Sequence, residues 1–232
     1  MTPDELLTTT RSVRRRLDLT RAVPAELIRE CIEVAVQAPT GSNRQGWQWL
    51  VVTDPEKRRF IGERYRDSWY TYASAGRPEY GEGDPRQAQA PRLYTSARYL
   101  ADHMAEVPVM VIPCIEGRVE GSPNMAIAGL YGSIIPAAWS FMLAARLRGL
   151  GSAYTTLHLR SEQEIAEALG IPYAQYTQAA LLPVAYFTGE NFRPVERIPL
   201  ERIFTHKWKL EQVDEAYKLF DKQSTGKGVF LL

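Results

Sequence analysis

Two stretches carry side chains whose types and spacing could do chemistry. Arg11-Ser12-Val13-Arg14-Arg15-Arg16 puts four arginines within six residues. That much positive charge repels itself unless water or an anion neutralises it. A solvated basic face meets the requirement. So does a phosphate monoester, whose oxygens match the fork of a guanidinium. The second stretch is Ala38-Pro39-Thr40-Gly41-Ser42-Asn43-Arg44-Gln45-Gly46-Trp47. Pro39 stops a preceding helix, because it lacks an N–H and restricts the residue before it. Thr40, Gly41, Ser42 and Asn43 then supply short polar side chains and an open backbone. The amides of Asn43 and Gln45 can donate and accept toward a flat heteroaromatic. A plain loop from helix to strand has the same composition.

Other chemistry is sparse. His103, His158 and His206 are too scattered for a metal site or a catalytic triad. His158 reads as a structural histidine or as a pocket lining. Trp47 and Trp49 read as core. No Gly-Lys-Ser/Thr phosphate loop occurs, and Gly149-Leu150-Gly151 lacks the third glycine and acidic residue of a dinucleotide fold.

The elements that must position these residues follow from periodicity. Thr2-Pro3-Asp4-Glu5 opens a short helix leading into the arginines. Residues 24–37 place Leu27, Ile28, Cys31, Ile32 and Ala35 on one helical face. A strand is predicted over 47–53, and a helix capped by Asp54 runs to about Tyr70. Glycines and prolines punctuate 71–95, which predicts a long loop facing substrate. A helix over 96–104 and a doubly buried strand over 107–114 come next. Residues 124–149 form a helix apolar nearly all round, which a partner subunit would help to cover. A strand over 152–157, a helix from a Ser161–Glu164 capping box to Leu169, a strand over 177–187 and an extended connection over 193–203 complete the body. The tail carries a helix over 210–220 and an apolar end. Helices alternating with strands suit an α+β, three-layer sandwich with a mixed sheet.

Composition bounds the rest. The chain has 232 residues, 45% hydrophobic and 24% charged, with net charge +1. These are the values of an ordinary globular protein, and they suggest neither nucleic acid nor an acidic membrane as partner. Met1 to Leu7 has no signal-peptide pattern. Polar and small interruptions in the apolar helix argue for burial in protein rather than in a bilayer. Cys31 and Cys114 read as buried thiols, which suits the cytoplasm.

With Gly149-Leu150-Gly151-Ser152-Ala153-Tyr154-Thr155-Thr156 added, the two stretches resemble the FMN-dependent nitroreductase family, from about Thr8 to Phe204. The resemblance implies a three-layer α/β/α sandwich with a mostly antiparallel mixed sheet. It also implies an intertwined homodimer with FMN at the subunit interface. Arg11, Ser12 and Arg14 match the family's phosphate motif, with Arg15 adding charge nearby, and Arg197 matches a second phosphate-binding arginine. Pro39, Thr40, Gly41 and Asn43 match a flavin-contacting segment that serves largely the other subunit. Gln45 matches a glutamine before Pro-Trp, although Gly46 stands in place of the proline. Thr155, Thr156 and Leu157 match a loop whose backbone amide faces flavin N5. Thr10 stands where a basic residue is usual, and Arg16 where an aromatic is. The implied reaction is ping-pong: NADH or NADPH reduces the flavin at N5, and a nitroaromatic, quinone or similar small acceptor reoxidises it without a side-chain nucleophile. Relatives also dehalogenate reductively or destroy flavin, and a flavin-sequestering or regulatory protein is a further reading. The implied organisation is an FMN-binding domain over 1–206, with 71–95 as a lid, and an extension over 207–232 packing on the body or the partner.

Overall fold

Every strand side chain alternates between two faces, and in the central strand β2 (Val109–Glu116) both faces are apolar. Val109 and Val111 pack with Ile28, Cys31 and Ala35 of α2 (Ala25–Ala35) and with Phe141, Met142, Ala144 and Ala145 of α5 (Asn124–Leu147). Met110, Ile112 and Cys114 pack the other way. Their partners are Ile61, Tyr65 and Trp69 of α3 (Pro55–Ser74), Leu100 and Ala101 of α4 (Pro85–His103), and Ile165 and Ala166 of α6 (Glu162–Leu169). A strand buried on both sides needs a helical layer on each, so the three-layer α+β sandwich follows from this one register.

The computed structural model describes residues 1–76, 78, 80–81, 83–198, 204–221 and 227–231. They divide into a larger unit, Met1–Glu79 with Ala90–Pro194, and a smaller one, Tyr80–Gln89 with Val195–Leu232. In the larger unit β1 (Trp47–Val52) pairs antiparallel with β2 from Trp47 opposite Ile115 to Val52 opposite Met110. β5 (Leu182–Tyr186) lies on the far side of β2, and β3 (Leu150–Ser152) lies beyond β5, giving the order β1-β2-β5-β3. β4 (Tyr176–Gln178) pairs with the end of β2. All these pairings are antiparallel, and a parallel bridge between Ser12 and Ser152 makes the sheet mixed.

Local rules set the helix ends. Thr2 and Glu5 form a reciprocal capping box at α1 (Pro3–Thr9). Asp54 caps α3 through the Lys57 N–H at 2.9 Å. Gly170, at φ 71°, closes α6 in the left-handed conformation that glycine adopts freely. Arg118 holds β4 against α6: it forks onto Glu162 at 2.9 and 3.0 Å, donates to the Tyr176 carbonyl at 3.0 Å and stacks on Tyr173.

Several sequence expectations need correction. The loop expected over 71–95 is mostly helix, because α3 continues to Ser74 and α4 begins at Pro85. Pro85 occupies a first turn, where a missing N–H is harmless, and Pro91 withholds only the bond to the Gln87 carbonyl. The strand expected over 152–157 ends at Ser152. That expected over 177–187 is broken after Gln178, because β4 and β5 both pair with β2 in registers that differ by one residue: Gln178 lies opposite Cys114 and Leu182 opposite Val111. The Ser161–Glu164 capping box does not form, since Arg64 takes the Glu164 carboxylate at 2.6 Å and a short 3-10 turn over Leu157–Ser161 leads into α6.

α5 is only partly covered. Met125 (83% exposed), Leu147 (56%), Ile135 (43%) and Trp139 (38%) lie open, and a Cβ added at Gly129 or Gly132 would meet nothing within 4 Å. The helix is long and apolar enough to cross a bilayer by length and composition, yet its inner face belongs to the sandwich core.

In the smaller unit, β6 (Phe204–Lys209) and β7 (Lys227–Leu231) run parallel. Between them a 3-10 turn over Leu210–Gln212 precedes α7 (Val213–Asp221), in which Ala216 is buried. Gln89 Nε2 donates to the Glu196 carbonyl at 3.3 Å. The extended connection expected over 193–203 has no regular structure up to residue 198, and residues 199–203 lie outside the described residues.

Candidate functional site

The arginine cluster is set by a backbone junction. The Val13 N–H donates to the Ser152 carbonyl at 2.8 Å, and Val13 and Leu17 enter the core. This approach requires glycine at 151, where a Cβ would stand 3.0 Å from Val13. Arg14 is drawn inward by the same junction. Its Nη1 lies 3.4 Å from Ser96 Oγ, no carboxylate pairs with it among the described residues, and burial lowers its hold on the proton while Tyr65 opposes that effect. Burial pushes the Tyr65 phenol up, against a hydrogen bond with Thr155 and the charge of Arg14. Tyr65 thus joins the first and third motifs. Nothing in the sequence spacing could show its polar role.

The other cluster members differ in surroundings. Arg11 Nη1 donates to the Arg193 carbonyl at 3.0 Å. Ser12 and Arg15 are exposed, and Arg197 is an exposed residue of the smaller unit. Arg16 is a strut. Its Nε donates to the Thr188 carbonyl at 2.5 Å, and its guanidinium lies 4.1 Å from the centre of the Phe192 ring. Arg146 contacts the same ring at 3.9 Å, and burial, then the charge of Arg16, lowers its hold on the proton.

The 39–45 loop has an unusual backbone. Ser42 (φ 53°), Asn43 (φ 53°) and Gln45 (φ 51°) are all left-handed, a region costly for residues other than glycine. Hydrogen bonds hold the turn: Gln45 N–H to Thr40 Oγ1 at 3.2 Å, and Gln45 Nε2 to Asn43 Oδ1 at 3.0 Å. The Gly41 N–H donates to Ser133 Oγ at 3.0 Å. Residues 41–45 face outward, and Pro39 is also exposed. Gly46 is close-packed, since a Cβ there would come within 3.2 Å of Glu116 Cβ.

In the third motif Thr155 spends its hydroxyl on the Leu181 carbonyl at 2.7 Å and pairs with that residue through both backbone groups. Thr156 is exposed, and its amide has no partner among the described residues. Leu157 begins the 3-10 turn. His158, the next residue, is fully buried with neither ring nitrogen bonded among the described residues, and desolvation alone pulls its pKa down to about 3.

A pH dependence follows. The unfolded chain takes a proton on His158 near pH 6.5 and the folded chain does not until about pH 3. The stability is therefore present above pH 6.5 and is lost as pH falls toward 3, at about 1.4 kcal/mol per pH unit. His158→Phe should flatten that part of the acid limb in denaturant titrations at pH 7, 5.5 and 4.5. An unchanged slope would remove His158 as its source.

The chain therefore brings the first and third motifs together around Tyr65 and ties the second to α5. A surface cavity of about 370 Å³, lined by Arg64, Asp67, Ser68, Thr71, Arg160, Ser161 and Glu164, contains none of the candidate residues.

Comparison with known proteins gives an independent result. Residues 7–186 match the Nitroreductase family. The NADH dehydrogenase of Thermus thermophilus is 30% identical over 205 residues, 83% of this chain and 90% of that protein. The fold is similar to oxidized iodotyrosine deiodinase bound to FMN and 3-iodo-L-tyrosine, with a TM-score of 0.64 at 22% identity over 84% of this chain and 96% of that one. It is also similar to the FMN and NADPH-dependent nitroreductase NfnB of Sphigopyxis sp. strain HMH, with a TM-score of 0.63 at 24% identity over 88% and 98% of the two chains.

Proposed function

The chain belongs to the Nitroreductase family, and on that premise we propose that it is an FMN-dependent oxidoreductase passing reducing equivalents from NADH or NADPH to a small acceptor such as a nitroaromatic or quinone. The observation that carries this reading is Arg14, a desolvated guanidinium without a carboxylate partner among the described residues. A half-buried cation of that kind calls for an anionic ligand. The donor set fits FMN. Arg11, Ser12, Arg14 and Arg15 would hold the phosphate. Pro39, Thr40, Gly41, Asn43 and Gln45 would hold the ring, and Thr155, Thr156 and Leu157 would approach it with a backbone amide. When bound, FMN supplies reversible two-electron chemistry. The chain's own contribution is orientation and electrostatics: charge-assisted hydrogen bonds to the phosphate, an exposed Thr156 N–H as donor, and side-chain amides to fix the ring.

A homodimer belongs to the same proposal. The 39–45 loop is anchored to α5, whose outer face is apolar and open, so a second copy covering that face would receive the loop. The two unpaired buried thiols, pushed up to about 11 at Cys31 and about 12 at Cys114 by desolvation, suit a cytoplasmic protein.

The test is an anaerobic titration of the FMN-loaded protein with NADH and NADPH, followed by a panel of nitroarenes, quinones and halogenated phenols. Bleaching of the flavin by a reduced nucleotide and recovery on adding nitroarene or quinone are expected. Flavin that binds but stays oxidised overturns the enzyme reading in favour of sequestration, and recovery only with halogenated phenols turns it to dehalogenation.

A further inference from the structure

Ser133 carries three hydrogen bonds that bear on one loop. Its Oγ accepts from the Gly41 N–H at 3.0 Å and donates to the Gly129 carbonyl at 2.8 Å. Its carbonyl accepts from the Trp47 indole N–H at 2.7 Å. Both ends of the segment that contains Ser42, Asn43 and Gln45 are thus hung on a single residue of α5, 7% exposed. The hydroxyl is well suited to this. By donating back to residue i−4 of its own helix it fixes its orientation and turns its lone pairs outward. The neighbouring turn helps as well, because Pro136 has no N–H for the Gly132 carbonyl and so loosens the helical ladder where the outside donors arrive.

We propose that Ser133 is a positioning residue: its hydroxyl holds residues 41–45 in their left-handed posture, and through them sets how tightly FMN is bound. The flavin half of this inference rests on the function proposed above; the tether itself does not. A backbone with three left-handed non-glycine residues relaxes when released, so removing the hydroxyl should cost order in the loop rather than global stability. Ser133→Ala is the direct test, because it deletes Oγ yet leaves the carbonyl bond to Trp47.

The experiment has two arms on the full chain. In the first, hydrogen exchange of the flavin-free protein compares wild type, Ser133→Ala, Ser133→Thr and Ile134→Val, the last a core control beside it. Ser133→Ala should speed exchange at Gly41 and over 42–45 by about 3- to 10-fold, the worth of one hydrogen bond. Ser133→Thr, which keeps a hydroxyl, should restore most of the protection, and Ile134→Val should leave these amides alone while lowering the melting temperature. In the second arm, FMN titrations followed by flavin fluorescence and visible circular dichroism should show a similar loss of affinity and an altered ring signal in Ser133→Ala, again restored in Ser133→Thr. Unchanged exchange over 41–45 overturns the tether. Faster exchange with unchanged FMN affinity and ring signal overturns the flavin half. A wild-type protein that takes up no FMN overturns the proposed function and the flavin half together, while the exchange arm still decides the tether.

Discussion

Arg14→Ala weakens FMN binding by about 1.5–3 kcal/mol, roughly 10- to 150-fold in dissociation constant, without lowering the stability of the flavin-free protein. The two halves of this expectation have one cause. In the free chain the Arg14 guanidinium is partly desolvated, with Ser96 Oγ at 3.4 Å and the Tyr65 phenol as its offsetting partners among the described residues. Deleting it therefore relieves a penalty in the free protein and removes a charge-assisted partner from the complex. Fluorescence titration with FMN and melting of the apo form measure the two halves. Intact affinity with a lower melting temperature would make Arg14 a structural cation instead. Arg11→Ala should lower affinity by a similar amount, with little effect on melting because its side chain is exposed.

The largest loss of stability is expected at Glu162. Its carboxylate accepts the Arg118 fork and also the Gln178 N–H at 2.9 Å, and the side chains of Arg118 and Glu162 are only 17% and 14% exposed. Burial alone would loosen the Arg118 proton, but bonds to Glu120 and Glu162 more than reverse that. Glu162→Ala would leave the guanidinium half-paired beside Tyr173 and remove the carboxylate link from α6 to β4, leaving the bond from Gln178 Nε2 to the Glu162 carbonyl at 2.9 Å. The cost of breaking such a pair is about 3 kcal/mol, read as a shift in the urea midpoint. Glu162→Gln, which keeps an acceptor but no charge, should lose less. If glutamine costs nothing while alanine costs the full amount, charge pairing is not what secures β4.

The sequence made the layers legible because β2, α2 and α5 have periodicities with one physical solution. The apolar run over 107–114 could only be a strand covered on both sides, and β2 is buried at every position but its last. Short elements were less legible. Where β3 and β4 end depends on long-range pairing, the Ser12–Ser152 bridge and the one-residue offset between the registers of β4 and β5 on β2, that no local window contains. The region over 71–95 failed for a different reason: prolines at the start of a helix carry the same letters as prolines in a loop. Of the site, residue types were readable and their connections were not. Tyr65 and Ser133 look like ordinary members of a buried helical face, and only tertiary contact shows that one joins two motifs and the other holds the third. Arg16, which counted toward the basic cluster by position, is spent on Phe192 and the Thr188 carbonyl.

The backbone of the 39–45 segment also has an evolutionary consequence. A screen that rewarded heat resistance and nothing else would favour glycine at position 42, because glycine adopts the observed torsion there without penalty. Such a variant would gain melting temperature and lose rigidity where the ligand is expected to dock. The hardiest version of this chain and its most active version are therefore expected to be different sequences, diverging first at an exposed serine.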